Sequence, residues 1–303
     1  MRDKQIDKQI YESVVNNVLE IRNARKRFGR IHALNDLSLT LREGECLGLV
    51  GPNGAGKTTI LRAICGRVRL DSGSIARRTD ERGAPAAMLG LVPQEIALYP
   101  LLTGTENLEV FGGLHGLRGT ALNERVAWAL DWSGLADRAE EPVNRWSVGM
   151  KRRLNIACGV LHNPRVILLD EPTVGVDPES RQRIWGLLHG LRASGAALML
   201  TTHQLNEAQS VSDRIAVVDK GRVIACGTSQ QIVRDVLGVE HRIVIQLSDG
   251  TRIVTTMRDV SSELRRLLER IEGEGATIQN LEVSAPNLEA AFLELTRLGS
   301  GND

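Results

Sequence analysis

The chain has 303 residues, of which 42% are hydrophobic, and its 38 basic and 37 acidic residues give a formal net charge of +1. This length predicts one large domain or two smaller ones, and the balanced charge argues against a dedicated nucleic-acid binder. Aromatic residues are only 3% of the chain, so surfaces that stack bases are not expected either.

Residues 1–17 are polar and lack the apolar core of a signal peptide, so we interpret them as a lead-in segment. The sequence has no stretch of about eighteen apolar residues, and therefore no segment is predicted to span a membrane. The four cysteines are far apart and form no CxxC pair, which indicates reduced thiols in the cytoplasm rather than disulfides or a metal site.

Residues 18–236 alternate short strands with amphipathic helices, as a single α/β domain does. Two early stretches, VLEIRNARKRF and LNDLSLTLREGE, alternate polar and apolar residues and predict an antiparallel β subdomain. Compact apolar runs predict buried parallel strands at Cys46–Gly51, Met88–Val92, Val166–Asp170, Ala197–Thr202 and Arg214–Asp219. We therefore expect a mixed sheet flanked by helices.

Residues from about 95 to 163 carry helical patterns and predict a helical lobe within the same domain. Thr103 and Glu106 have the spacing of a capping box before NLEVFGGLHG, and ALNERVAWALDWSGL continues the helical pattern. The lobe interrupts the strands directly after Gln94.

Residues 237–303 change character again and predict a small accessory α+β domain. Asp249 and Gly250 separate two alternating strands, which is a strong signal for a two-residue hairpin turn. The stretch ATIQNLEVS predicts a further strand. Apolar residues at helical spacing predict one helix before and one after it. They are Leu264, Leu267, Leu268 and Ile271 in the first, and Leu288, Ala291, Phe292 and Leu295 in the second.

The stretch GPNGAGKTT lies between a predicted strand and a helical segment, and it matches the phosphate-loop pattern GxxxxGK[ST]. Its residues are Gly51, Pro52, Asn53, Gly54, Ala55, Gly56, Lys57, Thr58 and Thr59. The glycines let backbone N–H groups surround phosphates, and the following helix adds its positive dipole end. Lys57 is expected to reach the β- and γ-phosphates, and the Thr58 hydroxyl to bind Mg²⁺. The loop predicts a P-loop NTPase core but leaves kinase, GTPase and transport ATPase open.

A second motif, VILLDEP, adds carboxylates at the end of a predicted buried strand. Asp170 is expected beside Mg²⁺, and Glu171 beside the γ-phosphate, where it can take a proton from an attacking water as a general base. His203 ends the next strand and therefore faces the same crevice, where it can bind the γ-phosphate or orient the water. Gln94 is predicted to bind Mg²⁺ or hold water through its amide, and to couple nucleotide state to the helical lobe.

The order of these motifs resembles the ATP-binding subunit of ABC transporters over residues 18–234. The motifs are GPNGAGKTT, Gln94, WSVGMKRRL, ILLDEP, VGVDP and His203. The resemblance implies that two chains sandwich two ATP molecules, each held between the phosphate loop of one chain and the WSVGM segment of the other. Closure on ATP and reopening after hydrolysis would then drive membrane partners. The resemblance also implies that Phe28 stacks on adenine and that Asp177 lies in the loop that crosses the dimer interface.

The WSVGM segment departs from the family pattern, which has a glycine at the position of Val148. Ser147 is a good N-cap for the basic helix that follows, and the N–H groups of its first turn suit a γ-phosphate from the partner chain. The family's closest phosphate contacts correspond to Ser147 and Gly149, and helical backbone angles permit Val148. Trp146 and Met150 replace the usual leucine and glutamine near the ribose. We therefore expect a working phosphate site.

A finer resemblance, in SVGMKRRL and PNLEAAFLELT, is to exporter ATPases of the drug-resistance type, which serve drugs, antibiotics, lipids or oligosaccharides. It implies ATP and Mg²⁺ as cofactors, a homodimer or paired ATPase subunit, and an integral membrane permease at the cytoplasmic face of the membrane. No nucleic-acid partner is expected. The apolar segment EIALYPLLTGTENL either receives a permease helix or packs within the lobe. A ribosome- or DNA-directed ABC ATPase and a P-loop kinase remain alternatives.

Overall fold

The computed structural model describes residues 17–78, 89–238 and 241–300. By its contacts the chain divides into two compact units, Met1–Ile224 and Ala225–Asp303. In chain order the described strands are β1 Asn17–Phe28, β2 Ile31–Arg42, β3 Cys46–Val50, β4 Ser72–Arg77, β5 Leu89–Val92, β6 Val166–Asp170, β7 Ala197–Thr202, β8 Arg214–Asp219, β9 Arg222–Gly227, β10 His241–Leu247, β11 Arg252–Met257 and β12 Ile278–Ser284. The described helices are α1 Lys57–Ile64, α2 Gly104–Leu114, α3 Gly119–Trp132, α4 Val148–Val160, α5 Pro178–Ala193, α6 Leu205–Val211, α7 Ser229–Leu237, α8 Val260–Gly273 and α9 Leu288–Ser300.

The first unit contains an antiparallel sheet with the strand order β2–β1–β4. Apolar side chains such as Leu19 on β1 and Leu37 on β2 are buried, and many of the residues between them face outward. The two strands that the alternating pattern predicts are thereby confirmed. β4 is mostly exposed and has no apolar alternation, so its pattern gives no strand signal.

The central sheet has the strand order β5–β6–β7–β3–β8–β9, and its first five strands run parallel. Every residue of β3, β6 and β7 is buried, as expected for parallel strands covered on both faces. The predicted buried strands are confirmed, although Gly51 follows β3 instead of ending it and Met88 lies outside the described residues. The carboxyl ends of β3, β6 and β7 share one edge of the sheet, and the loops after them meet there.

The helices between Gln94 and β6 follow the predicted pattern. The Glu106 N–H donates to the Thr103 hydroxyl at 3.1 Å, and the Thr103 N–H donates to the Glu106 carboxylate at 2.8 Å, which confirms the capping box before α2. α2, α3 and α4 pack around a buried cluster that includes Leu108 and Leu154. This cluster is separate from the two that cover the central sheet.

The second unit contains an antiparallel sheet with the strand order β11–β10–β12. The Thr251 N–H donates to the Asp249 carboxylate at 2.8 Å within the turn between β10 and β11. α8 packs its apolar face against Ile243 and Ile245 of the sheet. The predicted hairpin, the following helix, the third strand and the last helix are confirmed, but the turn holds the three residues 248–250 between the bonded Leu247 and Thr251 instead of the predicted two.

The contact division lies at 224/225, whereas the sequence predicts domains 18–236 and 237–303. α7 packs against α9, and for that reason it belongs with the second unit by its contacts. Among the residues that the structure describes, no helix combines the length and the apolar character that a membrane span requires.

A stacked pair of imidazoles connects the end of α2 with the segment after α4. The ring centroids of His115 and His162 are 3.7 Å apart, and the ring planes differ by 11°. Burial lowers the pKa of His162 to about 4, and the charges of His115 and Arg125 act in the same direction, against its contact with the Leu89 carbonyl. The folded protein therefore holds this imidazole neutral at pH 7.

The free energy of unfolding is expected to fall as the pH decreases from about 6.5 to about 4, because only the unfolded chain protonates His162 readily there. The contribution of neutral His162 to the free energy of unfolding is fully present above the unfolded-state pKa, and it is lost as the pH falls towards the folded-state pKa. Because the ring is only partly buried, we expect a loss of about 1–3 kcal/mol. Urea unfolding of the natural chain and of His162→Gln at about pH 7 and pH 5 measures the effect. Equal decreases in the two proteins would contradict it.

Candidate functional site

The stretch Gly51–Thr59 comprises the loop that follows β3 and the first three residues of α1, which begins at Lys57. Gly56, the N-cap of α1, has φ +105°, and a β-carbon there would lie 2.4 Å from the Ala33 carbonyl oxygen. This left-handed backbone and close approach require glycine. Because Gly56 provides no side-chain cap, the N–H groups of the first turn of α1 are available to an anion.

A cleft of about 260 Å³ opens over this loop. Its lining residues are Asn53, Gly54, Ala55, Gly56, Lys57, Thr58, Thr59, Gln94, Glu171 and His203. The last three follow β5, β6 and β7, so they come from three different strand ends. The structure thus brings most of the predicted phosphate loop and the three predicted catalytic residues to one cleft.

The Lys57 side chain is hydrogen-bonded to the first two residues of the phosphate loop. Its Nζ donates to the carbonyl oxygens of Gly51 at 2.7 Å and Pro52 at 3.1 Å. Burial lowers the pKa of Lys57, while the charges of Glu171 and Asp170 act in the opposite direction. A cation beside the uncapped first turn of α1 suits the binding of phosphate groups.

The Asp170 carboxylate lies at the end of β6 beside two hydroxyls. Its Oδ1 accepts hydrogen bonds from Thr58 at 3.2 Å and from Thr201 at 2.6 Å. Thr58, Asp170 and Gln94 line a second cavity of about 270 Å³, which shares Thr58 and Gln94 with the cleft. Among the described residues, no group of three His, Cys, Asp or Glu side chains could hold a metal on its own. The hydroxyl, carboxylate and amide oxygens do fit Mg²⁺ bound together with phosphates.

Glu171 and His203 form a direct pair across two neighbouring strand ends. The Glu171 Oε2 atom lies 2.8 Å from Nδ1 of His203. Glu171 has φ +49°, a conformation that costs energy for a non-glycine residue and is concentrated at functional sites. Its N–H donates to the Thr201 carbonyl oxygen at 3.1 Å. Burial raises the pKa of Glu171, and the contact with His203 partly offsets that rise.

Two buried side chains of α4 hold the loop that carries Gln94. Arg152 donates to the carbonyl oxygens of Pro93 at 3.1 Å and Gln94 at 2.7 Å, and Asn155 accepts from the Ala97 N–H at 3.1 Å. Because α4 begins in the WSVGM segment, these bonds connect the Gln94 loop to that segment. No sequence motif indicates this role, since it depends on α4 lying beside β5.

A second group of predicted residues lies at the N termini of α4 and α5. Ser147 accepts from the Met150 N–H at 3.2 Å, as predicted for an N-cap, and Asp177 caps α5 through the Ser180 N–H at 2.9 Å. A β-carbon at Gly149 would lie 2.2 Å from the Ser180 hydroxyl oxygen, so the two helix starts are in close contact. None of Ser147, Gly149 and Asp177 is among the described residues that line the cleft.

The neighbours of Ser147 differ in their environments. Val148, the first residue of α4, is 49% exposed. Trp146 is buried in the core of the helical lobe, and Met150 packs against the same cluster. Trp146 therefore has a structural role in the lobe, while Val148 presents its side chain to the surface.

Phe28 lies at the end of β1, opposite Ile31 in the β1–β2 hairpin. Its ring is about half exposed, and Nζ of Lys26 lies 5.4 Å from the ring centroid. The ring is not among the described residues that line the cleft. The exposed ring is able to stack on a base.

The family model, the similar sequences and the similar solved structures all point to ATP-binding proteins of ABC transporters. A family model described as ABC transporter matches residues 34–174. The linearmycin resistance ATP-binding protein LnrL of Bacillus subtilis is 34% identical over 305 residues, covering 92% of this chain and 98% of that protein. The Nod factor export ATP-binding protein I of Ralstonia nicotianae is 37% identical over 265 residues, covering 86% and 80%. A solved dimeric ATP-binding cassette in a post-hydrolysis state with ADP and Pi has a TM-score of 0.61 and 28% identity, covering 69% of this chain and 98% of that one.

Proposed function

Since this chain belongs to the ATP-binding proteins of ABC transporters, we propose that two copies of it close around two ATP molecules and drive a separate membrane permease. The chain binds and hydrolyses ATP, as its family does. The observation that supports dimer closure is the division of the site within one chain. The phosphate loop, Glu171 and His203 line one cleft, whereas Ser147 and Gly149 lie at the N terminus of α4, outside that lining.

A second copy of the chain can complete the site. In a two-fold symmetric dimer, each cleft faces the start of α4 in the partner, whose serine hydroxyl and helix N–H groups then bind the γ-phosphate. We assign Phe28 to adenine stacking and Asp177 to the dimer interface. The solved ATP-binding cassette bound to ADP and Pi is itself dimeric, which supports this arrangement.

The chemistry we propose places each side chain against the triphosphate. Thr58, Asp170 and Gln94 hold Mg²⁺, which neutralises charge on the phosphates when it is bound. The Glu171 carboxylate accepts the proton of the attacking water, and burial, by raising the pKa of this group, makes it a better base. His203, 2.8 Å from Glu171 Oε2, fixes the orientation of that carboxylate.

We propose that a groove between the helical lobe and β5 receives a short cytoplasmic helix of the permease. Its volume is about 330 Å³, and its lining includes Leu91, Phe111 and Leu114. The ring centroid of Tyr99 lies 6.2 Å from that of Phe111, which lines the groove, and Tyr99 is 49% exposed. Leu101, two residues further along the chain, is 79% exposed. An exposed apolar groove of this kind is a common docking site for an amphipathic helix. The segment after Gln94 therefore contributes at least Tyr99 and Leu101 to the surface.

Replacing Tyr99 with aspartate is expected to uncouple transport from hydrolysis, because a charge at the groove disfavours an apolar helix. In membrane vesicles that contain the permease, transport should fall at least about tenfold, while the ATPase activity of the purified chain stays within about twofold of normal. Tyr99→Phe keeps the contact with Phe111 and serves as the control. Unchanged transport by Tyr99→Asp would place the docking site elsewhere.

The proposed partner and location are tested by affinity purification of the chain from its native membranes. The expected result is copurification of a protein with several apolar spans, which would support our proposal that the chain works with a permease at the cytoplasmic face of the membrane. Copurified ribosomes or DNA would favour the alternative function instead.

In keeping with relatives named for linearmycin resistance and Nod factor export, we propose that the cargo is a drug, an antibiotic, a lipid or an oligosaccharide. We assign this activity to a domain of residues 18–236, with 237–303 as an accessory domain.

A further inference from the structure

Glu207 is a buried carboxylate close to the proposed catalytic pair that has no role in the chemistry described above. It lies in the first turn of α6 and is only 2% exposed. Its two oxygens have different partners. The Thr173 hydroxyl donates to Oε1, and the Thr202 hydroxyl donates to Oε2 at 2.5 Å. A buried carboxylate with both oxygens hydrogen-bonded holds its partners firmly, because losing either bond is costly.

The two threonines occupy particular places in the chain. Thr173 is two residues after Glu171, in the turn that follows β6, and Thr202 directly precedes His203 at the end of β7. With the 2.8 Å contact between Glu171 and His203, the hydrogen bonds to Glu207 close a ring of covalent and hydrogen bonds. The ring ties together two loops that are about thirty residues apart in the sequence.

The backbone at Glu171 needs such support. Its φ of +49° is unfavourable for a residue with a side chain, and strained positions persist only where the surroundings fix them. The Glu171 N–H is held by Thr201, which fixes one side of the turn, and the Thr173 hydroxyl is held by Glu207, which fixes the other. Thr202 also accepts from the Gln204 N–H at 3.0 Å, which anchors the segment that carries His203.

We propose that Glu207 is a positioning residue for ATP hydrolysis, which holds the turn of Glu171 and the strand end of His203 at the separation that lets the two side chains meet. This inference rests on the proposed roles of Glu171 and His203 in hydrolysis. Glu207 acts through His203 and does not touch the nucleotide. A displacement of about 1 Å at a catalytic pair is enough to lower the rate strongly.

The test is a double-mutant cycle between Glu207→Gln and His203→Ala, measured as release of radiolabelled phosphate. Glu207→Gln keeps the size of the side chain but cannot accept both hydroxyl hydrogens. We expect it to lower kcat on the order of tenfold and to change KM for ATP by less than about twofold. In the His203→Ala background, the same substitution should lower kcat by less than about twofold, since the contact it positions is already absent.

Glu45→Gln is the matched control. Glu45 is also buried, at 7% exposure, and also has two partners, the Arg214 guanidinium at 2.8 Å and the Arg42 N–H at 2.8 Å. It precedes β3, at the opposite edge of the sheet from the cleft. Glu45→Gln should retain kcat within about twofold. A similar loss of kcat in both glutamine variants would overturn the proposal, because it would mean that loss of a buried carboxylate acts through stability alone.

The outcomes separate this inference from the function on which it rests. A tenfold effect of Glu207→Gln that persists unchanged in the His203→Ala background would overturn the positioning role and leave the site assignment standing. Full activity of both Glu171→Gln and His203→Ala would reject the site assignment, and the positioning role with it. If Glu207→Gln does not fold, Thr202→Val compared with Thr202→Ser answers the question. The valine variant should lose kcat, and the serine variant, which keeps the hydroxyl, should retain most of it.

Discussion

Replacing Glu171 with glutamine is expected to stop ATP hydrolysis while ATP binding continues. The carboxylate lines the cleft, and burial raises its pKa, so it is a stronger base than an exposed glutamate. Glutamine has nearly the same shape, but it cannot accept the proton of the attacking water. We expect kcat to fall by about 10²–10⁴-fold, with little change in the affinity for ATP. Phosphate release and equilibrium binding of labelled ATP measure the two quantities separately.

The same variant should accumulate as a dimer when ATP is present, because closure needs bound ATP and reopening needs hydrolysis. Size-exclusion chromatography with light scattering, with and without ATP and Mg²⁺, measures this change. Adding Ser147→Arg to Glu171→Gln gives the control, which should stay monomeric with ATP because the partner surface is blocked. A monomeric Glu171→Gln protein at saturating ATP would argue against the sandwich arrangement.

Local sequence was sufficient for the parts of the site whose structure is itself local. The phosphate loop and the N-cap at Ser147 each depend on a few consecutive residues, and the buried strands depend on unbroken apolar runs that only a doubly covered sheet accommodates. Asp170 at the end of β6, Glu171 directly after it and His203 directly after β7 then lie at one edge of the sheet, because the parallel strands end there.

Residues whose partners are distant in the chain could not be found in this way. Arg152 meets the Gln94 loop across 58 residues, and Thr201 meets Asp170 across 31. Glu207 meets Thr173 across 34. Each of these pairs depends on which strands and helices are neighbours. The sequence of β6 or of β7 does not by itself predict that the two strands are adjacent in the sheet. The capping pattern at Ser147 also does not predict that Trp146 is a core residue of the lobe, because the burial of the Trp146 side chain depends on the packing of α2 and α4.

Ser147→Arg is expected to abolish ATP hydrolysis, whereas Val148→Gly is expected to leave it largely intact. Arginine removes the helix cap, which costs about 1 kcal/mol, and fills the space that the γ-phosphate of the partner would enter. Val148 is 49% exposed at the first helical position, and glycine there costs about 0.5–1 kcal/mol of helix stability without removing a phosphate contact. An arginine variant that keeps its activity, or a glycine variant that loses it, would contradict the assigned roles.

Mixing two inactive variants decides whether Ser147 acts on the nucleotide of the partner chain. Lys57→Ala disables the phosphate loop and should itself be inactive, as Ser147→Arg should be. In a mixed dimer, one site combines the intact Lys57 of the Ser147→Arg chain with the intact Ser147 of the Lys57→Ala chain. The other site carries both defects. An equal mixture should therefore regain ATPase activity, because the mixed pair keeps one intact site that can close on ATP, and random pairing would give about a quarter of the normal rate. If Ser147 served the nucleotide of its own chain, every site in the mixture would carry one defect and the activity would stay absent.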